Sequence, residues 1–299
     1  VNRLGSHLIE LYSHRLVIGA EQYRRLTRRG ARSVGTVEAE VGPLRVAVAG
    51  AKGVGRKALI EALDRARKRD LGPVRARLEA AGLDVEFADR LATIDWVEVS
   101  AYTVTSAVES ARDRATRRAA VADAVEADLL VLAVDVASPD IAADLKFVEA
   151  WQQWYRDHPG LEAPPVLVVV VGADRPELGG PWKPPHDWAR GQGARESAVR
   201  ARVDTLRAAL PAPGFAEVAV AGLGRGPGSH PDGQNGNELT EHGVAESVLP
   251  ALALLLHRAE RVAVIRHLHD LSARSKARRL ISQLGKQGRR LWANRLAKK

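Results

Sequence analysis

The residues best placed to do chemistry are Gly50-Ala51-Lys52-Gly53-Val54-Gly55-Arg56-Lys57-Ala58. They follow an apolar run, Leu44–Ala49, and lead into the helical-looking Leu59–Leu63. A glycine-rich loop between a strand and a helix lets backbone N–H groups curl round a phosphate, and the helix N-terminus adds its positive dipole. Gly50 and Gly55 fit the first six positions of the phosphate-loop pattern G-x-x-x-x-G-K-[ST]. The fit then breaks, because Arg56 stands at the lysine position and Lys57 at the hydroxyl position that would ligate magnesium. The alternative reading of these residues is a glycine-rich turn with no ligand.

Other constellations carry less. His267, His269 and Asp270 contain potential metal ligands, but alternate helical positions face different sides, so two surface histidines are expected. Asp135 and Asp140 flank the end of a core strand, at the ligand edge of an α/β sheet, and are read as caps of the following helix at Ser138-Pro139. No Ser-His-Asp arrangement with a nucleophile elbow is present, and Gly50–Gly55 does not fit a G-x-G-x-x-G dinucleotide fingerprint. The chain has no cysteine, which removes thiol nucleophiles, thiolate metal sites and disulfides together.

The elements that must position the loop read as alternating strands and helices. Strands are expected at Leu44–Ala49, Leu129–Val134, Val166–Val171 and Val218–Ala221, with Val85–Phe87 and Trp96–Val99 as a short antiparallel edge pair. Helices are expected at Lys57–Lys68, Ser106–Val125, Ile141–Tyr155, Arg195–Leu210 and Val244–Leu256. This alternation predicts an α/β fold with a doubly wound, mostly parallel sheet. Gly222–Gly243 reads as a surface loop, and Pro181–Pro185 with Trp182 and Trp188 as an irregular stretch ordered by its aromatics.

The composition sets the limits. With 299 residues, 45% hydrophobic and 27% charged, the chain can form one large domain with appendages. Its net +9 is concentrated at the ends. Residues 1–34 carry +5, residues 271–299 carry ten Lys/Arg and no acid, and the stretch between them is −6. An anionic partner is therefore expected at the termini. On a helical projection Leu280, Ile281, Leu284, Leu291, Trp292 and Leu296 fall on one side of the basic tail. That pattern suits an anionic membrane surface, RNA phosphate, or a helix docked on the domain with a solvated basic face. No run reaches the ~18 apolar residues of a membrane span. The start at Val1 and the lack of methionine suggest a fragment or processed chain.

Five segments in order carry a resemblance: GAKGVGRKALIEAL, WVEVSAY, ADLLVLAVDVASPD, VLVVVVGADRPELGGPWKPPHDW and GVAESVLPALALLLHRAERVAVIR. Together they cover about residues 44–266 and resemble a bacterial P-loop GTPase domain of the translation-factor class, of the Era and TrmE sort. The resemblance implies a P-loop GTPase-like topology at 40–258, a helical N-terminal arm at 1–39 and a basic helical tail at 259–299. It implies GTP or GDP as ligand, held weakly, with Gly50, Gly53, Val54, Gly55, Arg56, Lys57 and Ala58 around the phosphates. Glu98 falls on the aspartate that holds magnesium through water, Ala101 on the glycine that reads the γ-phosphate, and Tyr102 where Ras-like enzymes carry a catalytic Gln. Asp174 falls on the base-reading aspartate, with Gly172 replacing the Asn or Thr-His type residues before it.

These departures imply a domain whose magnesium shell is largely lost. The function expected is guanine-nucleotide binding with weak or absent hydrolysis. The alternative is a nucleotide-independent adaptor held to a membrane surface or RNA by its basic ends. An ATP-binding relative is a third reading, but it lacks the signature lysine at Ala51 and the lysine at Arg56. The expected location is the cytoplasm, including the cytoplasmic face of a membrane.

Overall fold

Val46, Ala47, Val48 and Ala49 are all fully buried, which requires a strand covered on both faces. They belong to β1 (Arg45–Gly50), the second strand of a five-stranded sheet. The computed structural model describes residues 42–103, 110–138, 141–179, 186–210, 215–223 and 242–270. The other strands are β2 (Asp95–Glu98), β3 (Leu129–Asp135), β4 (Val166–Val171) and β5 (Phe215–Ala221). Their spatial order is β2-β1-β3-β4-β5 and every pairing is parallel.

The helices are α1 (Arg56–Arg69), α2 (Gly72–Ala80), α3 (Phe87–Arg90), α4 (Ala111–Ala124), α5 (Ala142–Asp157) and α6 (Ala194–Ala209). A π-helical turn, Val244–Val248, leads into α7 at residues 249–270. Strand side chains alternate between two cores. Ala47, Ala49, Leu130, Leu132, Val168 and Val170 share one core with Ala120, Phe147 and Val199 from α4, α5 and α6. The alternate residues, such as Val48, Val131 and Val169, are equally buried and face the other side. There α1 lies against β1, β2 and the Val244–Val248 turn. Leu59, Ala62, Leu63 and Ala66 give α1 its buried stripe, with each leucine worth about 1.5–3 kcal/mol of burial.

The expected edge pair changes. Val85–Phe87 is not a strand: the Asp84 carboxylate accepts the Glu86 N–H at 2.9 Å, and the Phe87 and Ala88 N–H groups bond back to Asp84 and Val85. A side-chain turn of this kind competes with strand pairing, so the antiparallel edge pair is replaced by one parallel strand, β2. The helix α7 runs on to 270, through the boundary expected at 258/259, and buries Ala259, Val262 and Ala263; the tail expected from 259 is described only this far. Ser110 and Asp113 form a capping box that starts α4 at Ala111, inside the helix expected from Ser106. The helix α2 carried no sequence expectation; its signal is Pro73 in the first turn with Val74 and Leu78 one turn apart. Residues 1–39 and 271–299, for which helices were expected, lie outside the described residues.

Candidate functional site

The strand order reverses direction between β1 and β3, and in open α/β sheets the crevice beyond the carboxyl ends of such a pair is where ligands bind. The loop Gly50–Gly55 sits at that point. Gly53 and Gly55 have φ of +87° and +91°, the left-handed region that costs a residue with a side chain about 1–2 kcal/mol. Gly55 caps α1 without a side-chain hydrogen bond, and the first turn of α1 contains no acid. The first N–H groups of a helix have no partner within it. Those of α1 follow a loop whose Lys52, Gly53, Gly55, Lys57 and Ala58 are exposed, whereas Val54 is buried beneath it.

Arg56 does not project from this loop. Its Nη1 donates to the Gly50 carbonyl at 3.2 Å and its Nη2 lies 3.5 Å from the Glu98 carboxylate at the end of β2. Register explains the meeting: Glu98 pairs with Val48 across β1–β2, beside the strand end that feeds the loop. Arg56 and Glu98, expected at the lysine and magnesium positions of a phosphate loop, therefore face each other. Lys57, the next residue, is solvent-exposed.

The segment after β2 is tied to the loop through its backbone. The Lys52 N–H donates to the Tyr102 carbonyl at 2.9 Å, and Ala51 and Tyr102 form an isolated parallel bridge. Ala101 is half-buried beside it, and the Ser100 N–H is held by the Asp123 carboxylate at 2.9 Å. The Tyr102 side chain turns into the core. It is 1% exposed, stacks on Phe147 at 4.7 Å and donates its hydroxyl to Asp144 at 2.6 Å. Burial, reinforced by the Asp144 charge, pushes its phenol well above the usual range, so it remains a donor. Tyr102 thus ties the loop's flank through its backbone while its side chain packs in the core beneath it.

Asp174 lies at the carboxyl end of β4. Its Oδ1 accepts the Leu223 N–H at 3.1 Å, just beyond the end of β5. Arg195, only 3% exposed, donates through Nη1 to the carbonyls of Ala173 at 2.6 Å and Arg175 at 2.8 Å. Asp135 does not cap a helix N–H in the way expected. Its Oδ1 accepts the Ala137 N–H at 2.9 Å in a tight turn, and its Oδ2 pairs with Arg175 at 2.7 Å. Asp140 and Pro139 lie outside the described residues.

The sequence reading missed Arg195 and Asp144. Arg195 had a signal: a cation in the first turn of a helix opposes the dipole and needs a compensating partner. Asp144 had none, since an acid in the first turn of a helix is ordinary. Elsewhere, Trp188 stacks on His186 at 4.7 Å, and His186 Nδ1 lies 2.7 Å from Glu196, whose carboxyl is held below its usual range by that hydrogen bond. Pro181, Trp182, Pro184 and Pro185 lie outside the described residues. Among the described residues no group of three or more His, Asp or Glu side chains could hold a metal ion, and His267 and His269 form no such cluster. No described helix is long and apolar enough to cross a membrane. No protein-family model matches the chain, and no curated protein matches it in sequence.

Proposed function

We propose that this chain is a guanine-nucleotide-binding protein of P-loop GTPase type that binds nucleotide without magnesium and hydrolyses it weakly or not at all. The observation that carries the reading is the Gly50–Arg56 loop: two left-handed glycines run into an uncapped, acid-free helix start at the reversal point of an all-parallel sheet. Asp174 supports it from the same edge. The ends of β1 and β4 are two strand spacings apart, about 10 Å. A nucleoside diphosphate bridges such a gap between its phosphates and its base. The sheet order is compatible with the doubly wound topology of that family.

Magnesium does not suit these residues. An ammonium at Lys57 cannot ligate a dication, and Glu98 faces the Arg56 guanidinium at 3.5 Å. Phosphoryl transfer depends on a metal bridging the β- and γ-oxygens, so losing both ligands removes most of the charge stabilisation of the transition state. Lys57 takes over part of the neutralisation as a point charge beside the phosphates. Calorimetric titration with GTP, GDP and ATP, with magnesium and with EDTA, tests the reading. Guanine-nucleotide binding that persists in EDTA is the expected result, and a GDP affinity that collapses in EDTA refutes the metal-free site.

The second reading, a nucleotide-independent adaptor, is favoured by one feature. Arg56 and Asp174, the two side chains that would meet phosphate and base, are each already engaged within the protein. A chain that binds no nucleotide under any of these conditions would establish it.

A further inference from the structure

Arg195 is a guanidinium buried almost completely at the start of α6, where a cation opposes the helix dipole. A buried charge persists only where hydrogen bonds replace its water. Here they come from the carbonyls of Ala173 and Arg175, the residues on either side of Asp174. The same turn is closed by three further bonds: Ala173 N–H to the Ala221 carbonyl at 3.4 Å, Arg175 N–H to the Gly172 carbonyl at 3.0 Å, and Leu223 N–H to Asp174 Oδ1. Gly172 turns the chain with φ +80°, and the Arg175 side chain is drawn to Asp135. Asp174 is thus the centre of a turn tied by these hydrogen bonds, with Arg195 behind it. One backbone donor leaves most of a carboxylate's four or so lone-pair sites available.

We infer that Arg195 is a positioning residue that sets base selectivity, by holding the carbonyls of Ala173 and Arg175, the residues on either side of Asp174, so that its carboxylate faces a base edge bearing adjacent N–H donors. This inference rests on the guanine-nucleotide reading and adds to it the residue that determines which base is accepted. Guanine offers two neighbouring donors, N1–H and the 2-amino group; hypoxanthine offers one, and adenine presents an acceptor at N1. A carboxylate held rigidly discriminates among them, because a misaligned or unpaired polar group in the site loses its hydrogen bond without replacement. One that swings on a loosened turn accepts whichever donor it meets.

The test uses the full chain and three diphosphates, GDP, IDP and ADP, with inorganic tripolyphosphate as a probe of the phosphate loop alone. The parent is expected to prefer GDP over IDP by about tenfold. In Arg195→Gln that preference should fall to within about threefold, while tripolyphosphate affinity stays unchanged. Arg195→Lys, which keeps the charge but loses the planar fork, should fall between the two. If Arg195→Gln fails to fold, Arg195→Lys decides alone, and its GDP/IDP ratio must lie below the parent's. A selective parent whose Arg195 variants are equally selective overturns this role while leaving the guanine-nucleotide reading intact. A parent that binds no nucleotide defeats that reading, and this inference with it.

Discussion

The Arg56 guanidinium lies 3.5 Å from the Glu98 carboxylate, joining the two positions where a phosphate loop would need a free cation and a free metal ligand. Arg56 is 12% exposed and Glu98 45%, so the pair sits at the rim of the site and water screens it in part. On the proposed nucleotide-binding reading, a phosphate would compete with Glu98 for Arg56.

Glu98→Gln should therefore strengthen GDP binding. A partly exposed pair of this kind is worth about 0.2–1 kcal/mol, so the gain should reach about fivefold at most. Calorimetry in EDTA isolates the effect. Unchanged affinity would mean that phosphate never contacts Arg56.

Reverting Arg56→Lys together with Lys57→Ser should restore magnesium-dependent GTP binding more than either change alone. Lysine and hydroxyl act on one phosphate–metal unit, so their effects couple. Lysine also lacks the fork with which Arg56 reaches both the Gly50 carbonyl and Glu98. If the double variant binds no better than the parent, Glu98 and the tethered Ala101–Tyr102 segment already close the site.

Arg266→Ala should be strongly destabilising. Arg266 pairs with the buried Asp128 at 3.0 Å and also donates to the Glu126 and Ala127 carbonyls. Removing one partner of a buried pair costs about 3–5 kcal/mol. The pH dependence has a definite sign. Burial raises the Asp128 carboxyl above its ordinary value, against the opposing pull of Arg266, so stability falls as pH rises from the ordinary aspartate value through the raised one. Loss of Arg266 raises it further. The deficit of the variant should be greatest at neutral pH and shrink in acid, where Asp128 is protonated in both folded and unfolded chains. Denaturant melts at pH 3 and pH 7 check this; a deficit independent of pH would assign the cost to the two carbonyls.

Truncation should behave differently on the two sides of residue 270. Ending the chain at 258 removes the partners of Arg90, Glu162 and Asp128, namely Glu260, Arg261 and Arg266, and should unfold the domain. Ending it at 270 keeps all three and should leave the melting temperature close to that of the intact chain. The 270 truncation is then a clean test of the basic tail. If that tail holds the protein to an anionic membrane, co-sedimentation with anionic liposomes should be lost, and binding by the intact chain should persist in moderate salt through the apolar side of the tail. Steep loss with salt would instead favour RNA phosphate. Undiminished binding by the truncated chain would move the role to the basic residues near Arg24–Arg32.

The sequence by itself determined the sheet and the loop. Leu129–Val134 and Val166–Val171 are apolar at every position, a pattern that only a strand covered on both faces sustains, and the glycine spacing at Gly50–Gly55 set where the chain turns from strand to helix. These are local signals, written in consecutive residues. Val85–Phe87 misled because three residues carry too little periodicity to outweigh the side-chain turn begun by Asp84. What only the tertiary structure decided is how distant polar groups are spent. Arg56 meets Glu98 because β2 lies parallel to β1; Arg195 reaches behind Asp174 because α6 packs against β4; Arg266 finds Asp128 because α7 continues past 258. A charged side chain looks the same in sequence whether it awaits a ligand or already has a partner. The difference is set by the desolvation that packing imposes, and that cost exists only once the chain has folded.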